Sequence, residues 1–337
     1  MTPTVLKGLN GSSPLGFLAS VGLLRILDLH LGSAARLAFS DDGDFHAQIV
    51  GDTGVDVAGV VAADAAEAAG PQPWRLEYTK VEKKNVRVVA DLKAPPAVFS
   101  KFLDQAVDEW REGRQERANY AAAYATEIAI DSKGNTKPTA FHFTAANQQF
   151  LGTVEKTRSI VTRQWVERAL QHQGQAEPGL NLRWDPDAER SRALMGVNPT
   201  QDGTVVNAPL EWLAFRGLPT FTCVPIRDRV VTCGVTGRRQ DELRFHWPLW
   251  SCGVSFATLR SLLALTAGWI TKEEEAKRAI EMRRSVPQHR RLVTRLERDA
   301  ERAIEGRRAR GVFAICTSEI RRTAQGFGNF GPAVVRA

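Results

Sequence analysis

The residues best suited to chemistry in this sequence are arginines that repeat at helical spacing near the C-terminal end. Arg291, Arg295, Arg298 and Arg302 recur every three or four positions, so a helix would place them on one face as a stripe. A guanidinium group stays charged and binds phosphate oxygens through two parallel hydrogen bonds. The spacing therefore favours binding to nucleic-acid phosphates, although a solvated basic helix face would have the same pattern.

Charge is distributed unevenly along the chain, and the excess of positive charge lies in the same C-terminal region as these arginines. Residues 1–259 contain 28 Lys and Arg against 29 Asp and Glu, whereas residues 260–337 contain 17 against 9. The net charge of +7 therefore comes entirely from the last quarter, which also contains Arg283 and Arg284. Such a distribution indicates a polyanionic partner, most simply a nucleic acid.

A polar loop at residues 131–138 is a second candidate for nucleic-acid contact. It combines Lys133, Gly134, Asn135 and Lys137. Glycine permits close backbone approach, an asparagine amide can read base edges, and lysines hold phosphates without reading sequence. The same composition is also typical of a disordered surface loop.

Two further polar clusters have residue types that suit the same role. Thr144, Asn147 and Gln148 lie at a predicted strand-to-helix junction, where amides can reach phosphate or a minor-groove base edge. Ordinary helix capping by Thr144 or Asn147 is the alternative. Arg238 and Arg239 lie in a predicted turn between strands and form the third candidate.

The sequence contains none of the common catalytic motifs. It has no GxxxxGK[ST], GxGxxG, HExxH or GxSxG pattern, and no carboxylate pair stands out as an acid–base couple. Its four cysteines form no CxxC pair, which is typical of reduced, structural thiols. We therefore expect a protein that is not an enzyme and has no metal or cofactor.

The first domain must be built around one apolar helix. The stretch from Leu15 to Leu31 is apolar on every side, which indicates a buried core helix. Gly22 lies on it at a position where a small residue lets another element approach closely. Arg25 and Asp28 interrupt the run, which argues against a signal peptide or a membrane span.

The remaining pattern predicts an α+β protein. It comprises a mixed N-terminal domain of antiparallel strands around the buried helix (1–254), a basic helical bundle (255–311), and a strand with a Gly/Phe-rich tail (312–337) able to pack back on the first domain. The pattern also predicts a strand at 140–144 and one long helix at 146–171. A meander of strands is predicted at 221–226, 230–236 and 243–247. Helices at 256–269 and 271–306, the second broken at Pro287, and a strand at 312–316 complete the prediction.

Five stretches in fixed order resemble one known family. They are LKGLNGSSPLGFLA (6–19), HFTAANQQFL (142–151), RWDP (183–186), EWLAFRGLP (211–219) and WPLW (247–250). The family is encoded in CRISPR–Cas loci of subtype I-G, formerly I-U, where a compact protein takes the place of the large subunit of the Cascade interference complex. The resemblance covers residues 6–250, and its specificity lies in the order of short motifs.

The resemblance implies a non-enzymatic subunit of a crRNA-guided surveillance complex. Such a subunit recognises the protospacer-adjacent motif (PAM) on duplex DNA, supports R-loop formation and recruits the helicase-nuclease. The implied partners are crRNA, target double-stranded DNA, the backbone and crRNA-5′-end subunits of Cascade and the helicase-nuclease, in the cytoplasm and without a membrane. The basic helical segment resembles a fused small subunit. No functional residue of the family is carried over.

The residues leave two alternatives open. One is a metal-dependent nuclease with a dispersed carboxylate site, and the other is a structural scaffold that contacts only crRNA and protein. For PAM reading, the loop at 131–138 is the first choice, since Gly134 and Asn135 are slim enough for the minor groove. The cluster around Thr144 and the Arg238–Arg239 turn follow in that order.

Overall fold

The fold is organised around helix α1 (Pro14–Leu31), whose residues from Pro14 to Leu27 are all buried. Pro14 suits the first turn, because its missing N–H group has no intrahelical partner there. By length and composition α1 would be able to cross a membrane, but 78% of the segment is buried inside the fold. This burial confirms the predicted core helix and is typical of a soluble protein.

Helix α7 (Ala208–Gly217) packs directly on α1, and two glycines make the close approach possible. A Cβ atom on Gly22 would lie 1.7 Å from the Leu213 carbonyl oxygen, and one on Gly217 would lie 2.7 Å from the Leu18 carbonyl oxygen. The two backbones therefore touch where any larger side chain would collide. This contact confirms the role predicted for Gly22.

The computed structural model describes residues 3–32, 35–51, 54–66, 72–82, 85–144, 148–172, 176–186, 205–285, 290–322 and 328–336. Within them, helices and small antiparallel sheets alternate along the chain, which confirms the predicted α+β class. The other helices are α2 (Val57–Ala66), α3 (Pro96–Arg111), α4 (Glu116–Tyr124), α5 (Phe150–Ser159), α6 (Arg163–Gln171), α8 (Phe256–Ser285) and α9 (Arg290–Arg308).

The described strands form two larger sheets and four two-stranded antiparallel sheets. One larger sheet has the order β1-β3-β2, from β1 (Thr4–Asn10), β2 (Arg36–Phe39) and β3 (His46–Val50). The two-stranded sheets pair β4 (Glu77–Glu82) with β5 (Asn85–Ala90), β6 (Ala125–Ile130) with β7 (Thr136–Pro138), β8 (Glu177–Pro178) with β9 (Val205–Val206), and β10 (Cys223–Ile226) with β11 (Arg229–Thr232). The second sheet has the order β12-β13-β14-β15, from β12 (Val235–Thr236), β13 (Arg244–Trp250), β14 (Val312–Arg322) and β15 (Gly328–Arg336).

Aromatic side chains join α1 to the second sheet. Phe17 of α1 stacks on Trp247 of β13 with ring centroids 5.7 Å apart, and it meets Trp250 edge to face at 6.2 Å. The indole N–H of Trp247 donates to the Gly11 carbonyl oxygen at 2.7 Å, and that of Trp250 donates to the Leu37 carbonyl oxygen at 2.6 Å. Both of these buried tryptophans thus have a partner for their polar group, as buried tryptophans usually do.

Helices α8 and α9 form a hairpin that is inserted between two neighbouring strands. Strands β13 and β14 pair antiparallel, with Trp247 opposite Cys316, and the chain between them forms the two helices. The strand that follows the helices therefore belongs to the same sheet as the strand that precedes them. The helical hairpin has both of its ends fixed on this sheet.

Several boundaries predicted from the pattern are wrong. Residues 140–144 form no regular strand, and the single helix predicted at 146–171 is two helices, because Thr162 caps a new one by accepting from the Trp165 N–H at 3.3 Å. Helix α8 runs without a break through residues 269–271. The predicted meander is split, since β10 and β11 form a hairpin of their own while β13 belongs to the second sheet. Pro287 lies outside the described residues, between the end of α8 and the start of α9.

Candidate nucleic-acid interface

The arginine stripe lies on the outward face of α9. Arg295, Arg298 and Arg302 are exposed, whereas Ala300 and Ala303 are buried on the opposite face. The three arginines occupy roughly 60° of the helix circumference, so their charges point the same way. The side chains of the other predicted members lie outside the described residues, and these members are Arg283, Arg284 and Arg291.

Among the described residues, Arg298 and Arg302 make weak contacts with their own helix. Arg298 Nε donates to the Thr294 carbonyl oxygen at 3.2 Å, and Arg302 Nη1 lies 3.8 Å from Asp299 Oδ1. Exposed ion pairs of this kind contribute about 0–1 kcal/mol and are screened by salt. A phosphate group would displace such contacts at little cost.

One buried ion pair joins the two helices of the hairpin. Arg307 of α9 is 3% exposed, and its Nε atom lies 3.8 Å from Glu273 Oε1 of α8. Among the described residues, neither atom of this pair has a hydrogen-bond partner, and neither has Arg307 Nη1. A buried charge pair with imperfect geometry orients the helices more than it stabilises them.

The polar loop predicted at 131–138 is an ordered hairpin turn. The Asp131 carboxylate accepts from the Lys133 N–H at 2.9 Å and from the Asn135 N–H at 3.0 Å. Gly134 has a φ of +80° and no heavy atom within 4 Å of where its Cβ would be, so it forms the open tip of the turn. Lys133 is exposed beside it, and Asn135 is half-buried.

Contacts with the next hairpin connect this loop to the Arg238–Arg239 segment. Lys137 Nζ donates to the Asp228 carbonyl oxygen in the turn between β10 and β11. On the other side of that turn, Arg229 Nη1 donates to the Arg238 carbonyl oxygen at 3.0 Å. The first and third candidate loops are therefore parts of one surface, which we call the turn surface (residues 131–137, 227–229 and 238–239).

The turn surface is rich in cations that solvent can reach. Arg238 and Arg239 are exposed, and the Glu242 carboxylate accepts from both of their backbone N–H groups at 3.4 Å. Arg227, also exposed, has a φ of +57° at the β10–β11 turn. The sequence analysis did not single out Arg227, because the three residues between Ile226 and Val230 contain no Asn-Gly or Asp-Gly pair of the kind that marks a tight hairpin.

Of the cluster of Thr144, Asn147 and Gln148, the side chain of Gln148 is tied into the fold. Gln148 Nε2 donates to Thr153 Oγ1 at 3.1 Å and to the Asn181 carbonyl oxygen at 2.8 Å. Thr144 is half-buried, and Asn147 lies outside the described residues. The amide of Gln148 thus joins α5 to the segment at 181, and the N-cap of α5 is Gln149, whose side chain makes no capping hydrogen bond.

A buried His–Asp pair closes the same junction. His142 Nε2 lies 2.8 Å from Asp91 Oδ1, and the Asp91 Oδ2 atom accepts from the Phe150 N–H at 3.0 Å, at the start of α5. Burial alone would raise the pKa of Asp91, but the charge and the hydrogen bond of His142 outweigh it and lower that pKa. This pair holds β5 against α5.

Two other polar sites contain residue types that could do chemistry. A cavity of about 490 Å³ opens beside the Gly8–Ser12 motif and is lined by Lys7, Asn10, Gly43, Asp44, His46, Gln171 and His172. Burial raises the pKa of Glu211 to about 8, but this carboxyl is 1% exposed and accepts from the Leu182 N–H, so no substrate reaches it. Among the described residues, no group of three His, Cys, Asp or Glu side chains is placed to hold a metal ion.

No protein-family model matches the sequence, and no curated protein is similar to it.

Proposed function

We propose that this protein is a non-enzymatic, DNA-binding subunit of a crRNA-guided type I CRISPR surveillance complex. The observation that carries the proposal is the outward-facing arginine stripe on a helical hairpin fixed at both ends to one sheet. Phosphate binding requires cations that a polyanion can reach, and the stripe provides them in one row. The ordered resemblance over residues 6–250 supports the choice of complex.

The stripe holds nucleic acid through the phosphate backbone and reads no sequence. Each arginine that neutralises a phosphate releases condensed counterions, so affinity falls steeply with salt. Phosphate contacts fix position and orientation on the strand, whereas base contacts specify sequence. The helical hairpin therefore serves as a holding surface for target DNA or its displaced strand, as in a fused small subunit.

The turn surface is the proposed PAM reader. Asn135 lies next to the open tip at Gly134, and its amide has the donors and acceptors that the minor groove can recognise. Lys133 projects beside it and braces a flanking strand without reading sequence. Arg238 and Arg239, on the same surface, add phosphate contacts along the duplex.

The proposed setting is the cytoplasm, with crRNA, target double-stranded DNA and the other Cascade subunits as partners. The backbone and crRNA-5′-end subunits would seat the protein, and the helicase-nuclease would act on the R-loop that it helps to open. Co-expression with the neighbouring gene products and purification of one component tests this assembly directly. Recovery of the other subunits with a small RNA supports the proposal, and recovery of this chain alone contradicts it.

Reading of the PAM is tested in complexes that assemble normally. Asn135→Ala should lower discrimination between PAM variants, because removing a bidentate base contact costs about 1–3 kcal/mol of discrimination. Lys133→Ala should weaken binding to all duplexes alike, while Lys101→Ala, an exposed lysine of α3, should leave binding unchanged.

Filter binding with a library of PAM duplexes measures both effects. If Asn135→Ala keeps the wild-type ratio between correct and scrambled PAM, the turn surface is not the reader. Mg²⁺-dependent DNA cleavage by the purified protein would overturn the non-enzymatic assignment and favour a nuclease.

A further inference from the structure

The β4–β5 hairpin is an arm that projects from the fold and has two unlike faces. Val81 lies directly opposite Val86, and Val88 lies opposite Thr79, so these four side chains share one face. The three valines are 67%, 69% and 61% exposed in the order Val81, Val86, Val88. Lys80 and Arg87 lie opposite each other on the other face, and both are exposed.

The base of the arm is anchored to the rest of the fold. Leu76 and Val89 are buried there, and Tyr78 Oη donates to the Lys93 carbonyl oxygen at 3.1 Å. The Ala90 N–H donates to Gln149 Oε1 at 2.8 Å, which fixes the end of β5 to the start of α5. From Thr79 outward the described residues of both strands are exposed, over a length of about 10 Å.

The base of the arm adjoins the turn surface. The Thr136 N–H, in β7, donates to the Ala94 carbonyl oxygen at 2.9 Å, just after β5. Thr136 Oγ1 also donates to the Leu92 carbonyl oxygen at 3.0 Å. The base of the arm and the turn surface are thus joined through β7, and the exposed Lys80 and Arg87 suit the same polyanion as the turn surface.

We propose that the arm enters the major groove of duplex DNA, with its valine face toward the base edges. This inference rests on the proposed DNA-binding function and names a further contact for it. The major groove of B-form DNA admits a two-stranded ribbon, and aliphatic side chains there contact thymine methyl groups. Lys80 and Arg87, on the outer face, have stems long enough to reach phosphates at the groove rim.

Matched substitutions on the full chain test the valine face. The probe is a short fluorescent DNA duplex, with an RNA duplex of the same sequence for comparison, and affinity is measured at several salt concentrations. Val81→Thr combined with Val86→Thr keeps β-branched residues in the strands and should weaken DNA binding roughly tenfold with an unchanged salt slope. Val334→Thr, an exposed valine of β15, is the control and should bind as wild type.

The basic face and the choice of groove have tests of their own. Lys80→Gln combined with Arg87→Gln should lower the salt slope by about two, because each of these cations neutralises one phosphate. The valine substitutions should not affect binding to the RNA duplex, whose major groove is too deep and narrow for side chains to read. A variant that unfolds at the same temperature as the wild type is folded. If the double valine variant does not fold, Val88→Thr alone replaces it in the test.

Two results would overturn this assignment. If the valine variants bind the DNA duplex as wild type while substitution of the stripe arginines weakens binding, the arm does not contact DNA, and the proposed function stands without it. If the valine variants lose DNA and RNA binding equally, the major-groove contact is wrong. If the stripe variants also bind DNA as the wild type does, both the proposed function and this inference are wrong.

Discussion

Arginines occupy opposite environments in the core around α1 and in the helical hairpin. In the core, Arg25 Nη2 lies 2.7 Å from Glu116 Oε1, and Arg216 Nη2 lies 2.9 Å from Asp64 Oδ1. Both arginine side chains are at least nine-tenths buried. On α9, by contrast, the stripe arginines are exposed, and their contacts are long or involve the helix backbone.

This difference separates arginines that are paired inside the fold from arginines that solvent can reach. Burial alone would lower the pKa of Arg216, but Tyr120, Asp64 and Glu116 outweigh it and raise that pKa. The charge of Arg216 is thus used inside the protein to satisfy two carboxylates. The charges of the stripe are exposed to solvent, and the proposed function assigns them to a polyanion.

The largest effect on stability is expected at the buried ion pairs of Arg216. Arg216→Met removes the arginine that lies 2.9 Å from the buried Asp64 carboxylate and leaves that charge without its arginine partner, whereas Glu116 keeps its ion pair with Arg25. The free energy of unfolding should fall by about 3–5 kcal/mol, measured by urea denaturation. Arg302→Met on the stripe is the control, and it should change this free energy by less than about 0.5 kcal/mol. If both substitutions lower the free energy of unfolding equally, the two arginines do not differ in their contribution to stability.

Two glycine-to-alanine substitutions should change stability by smaller amounts and in opposite directions. Gly22→Ala forces a Cβ atom against the Leu213 carbonyl oxygen and should destabilise the fold by about 1–3 kcal/mol. Gly268→Ala, in exposed α8, meets nothing within 4 Å and should stabilise by about 0.5–1 kcal/mol. Thermal unfolding of the two variants checks the signs. A stable Gly22→Ala protein would mean that α1 and α7 do not touch as described.

The sequence predicted those parts of the fold in which one periodicity dominates. The buried helix α1 was predictable because its stretch is apolar on every side. Sheet membership was not predictable, since β13 pairs with β14 across the whole helical hairpin. Nothing in the local pattern shows that β10 and β11 separate from β13 into a hairpin of their own.

The candidate interface divides in the same way. The stripe follows from helical spacing alone, so its exposed members were predictable from residue numbers. That the loops at 131–137 and 238–239 share one surface depends on long-range hydrogen bonds from Lys137 and Arg229, which no spacing reveals. The hydrogen bond from Gln148 to the Asn181 carbonyl oxygen joins residues 33 positions apart, so it too could not be predicted from the local pattern.

The proposal that the arginine stripe binds phosphates is tested by the salt dependence of DNA binding. In the assembled complex, Arg295, Arg298 and Arg302 are replaced together by Gln, and Arg111, Arg114 and Arg163, which are 62–73% exposed elsewhere, are replaced together as a control of equal charge. The stripe variant should lose about three from the slope of log affinity against log salt, and the control should keep the wild-type slope. An unchanged slope in the stripe variant, or an equal change in both, would show that the stripe is a solvated face.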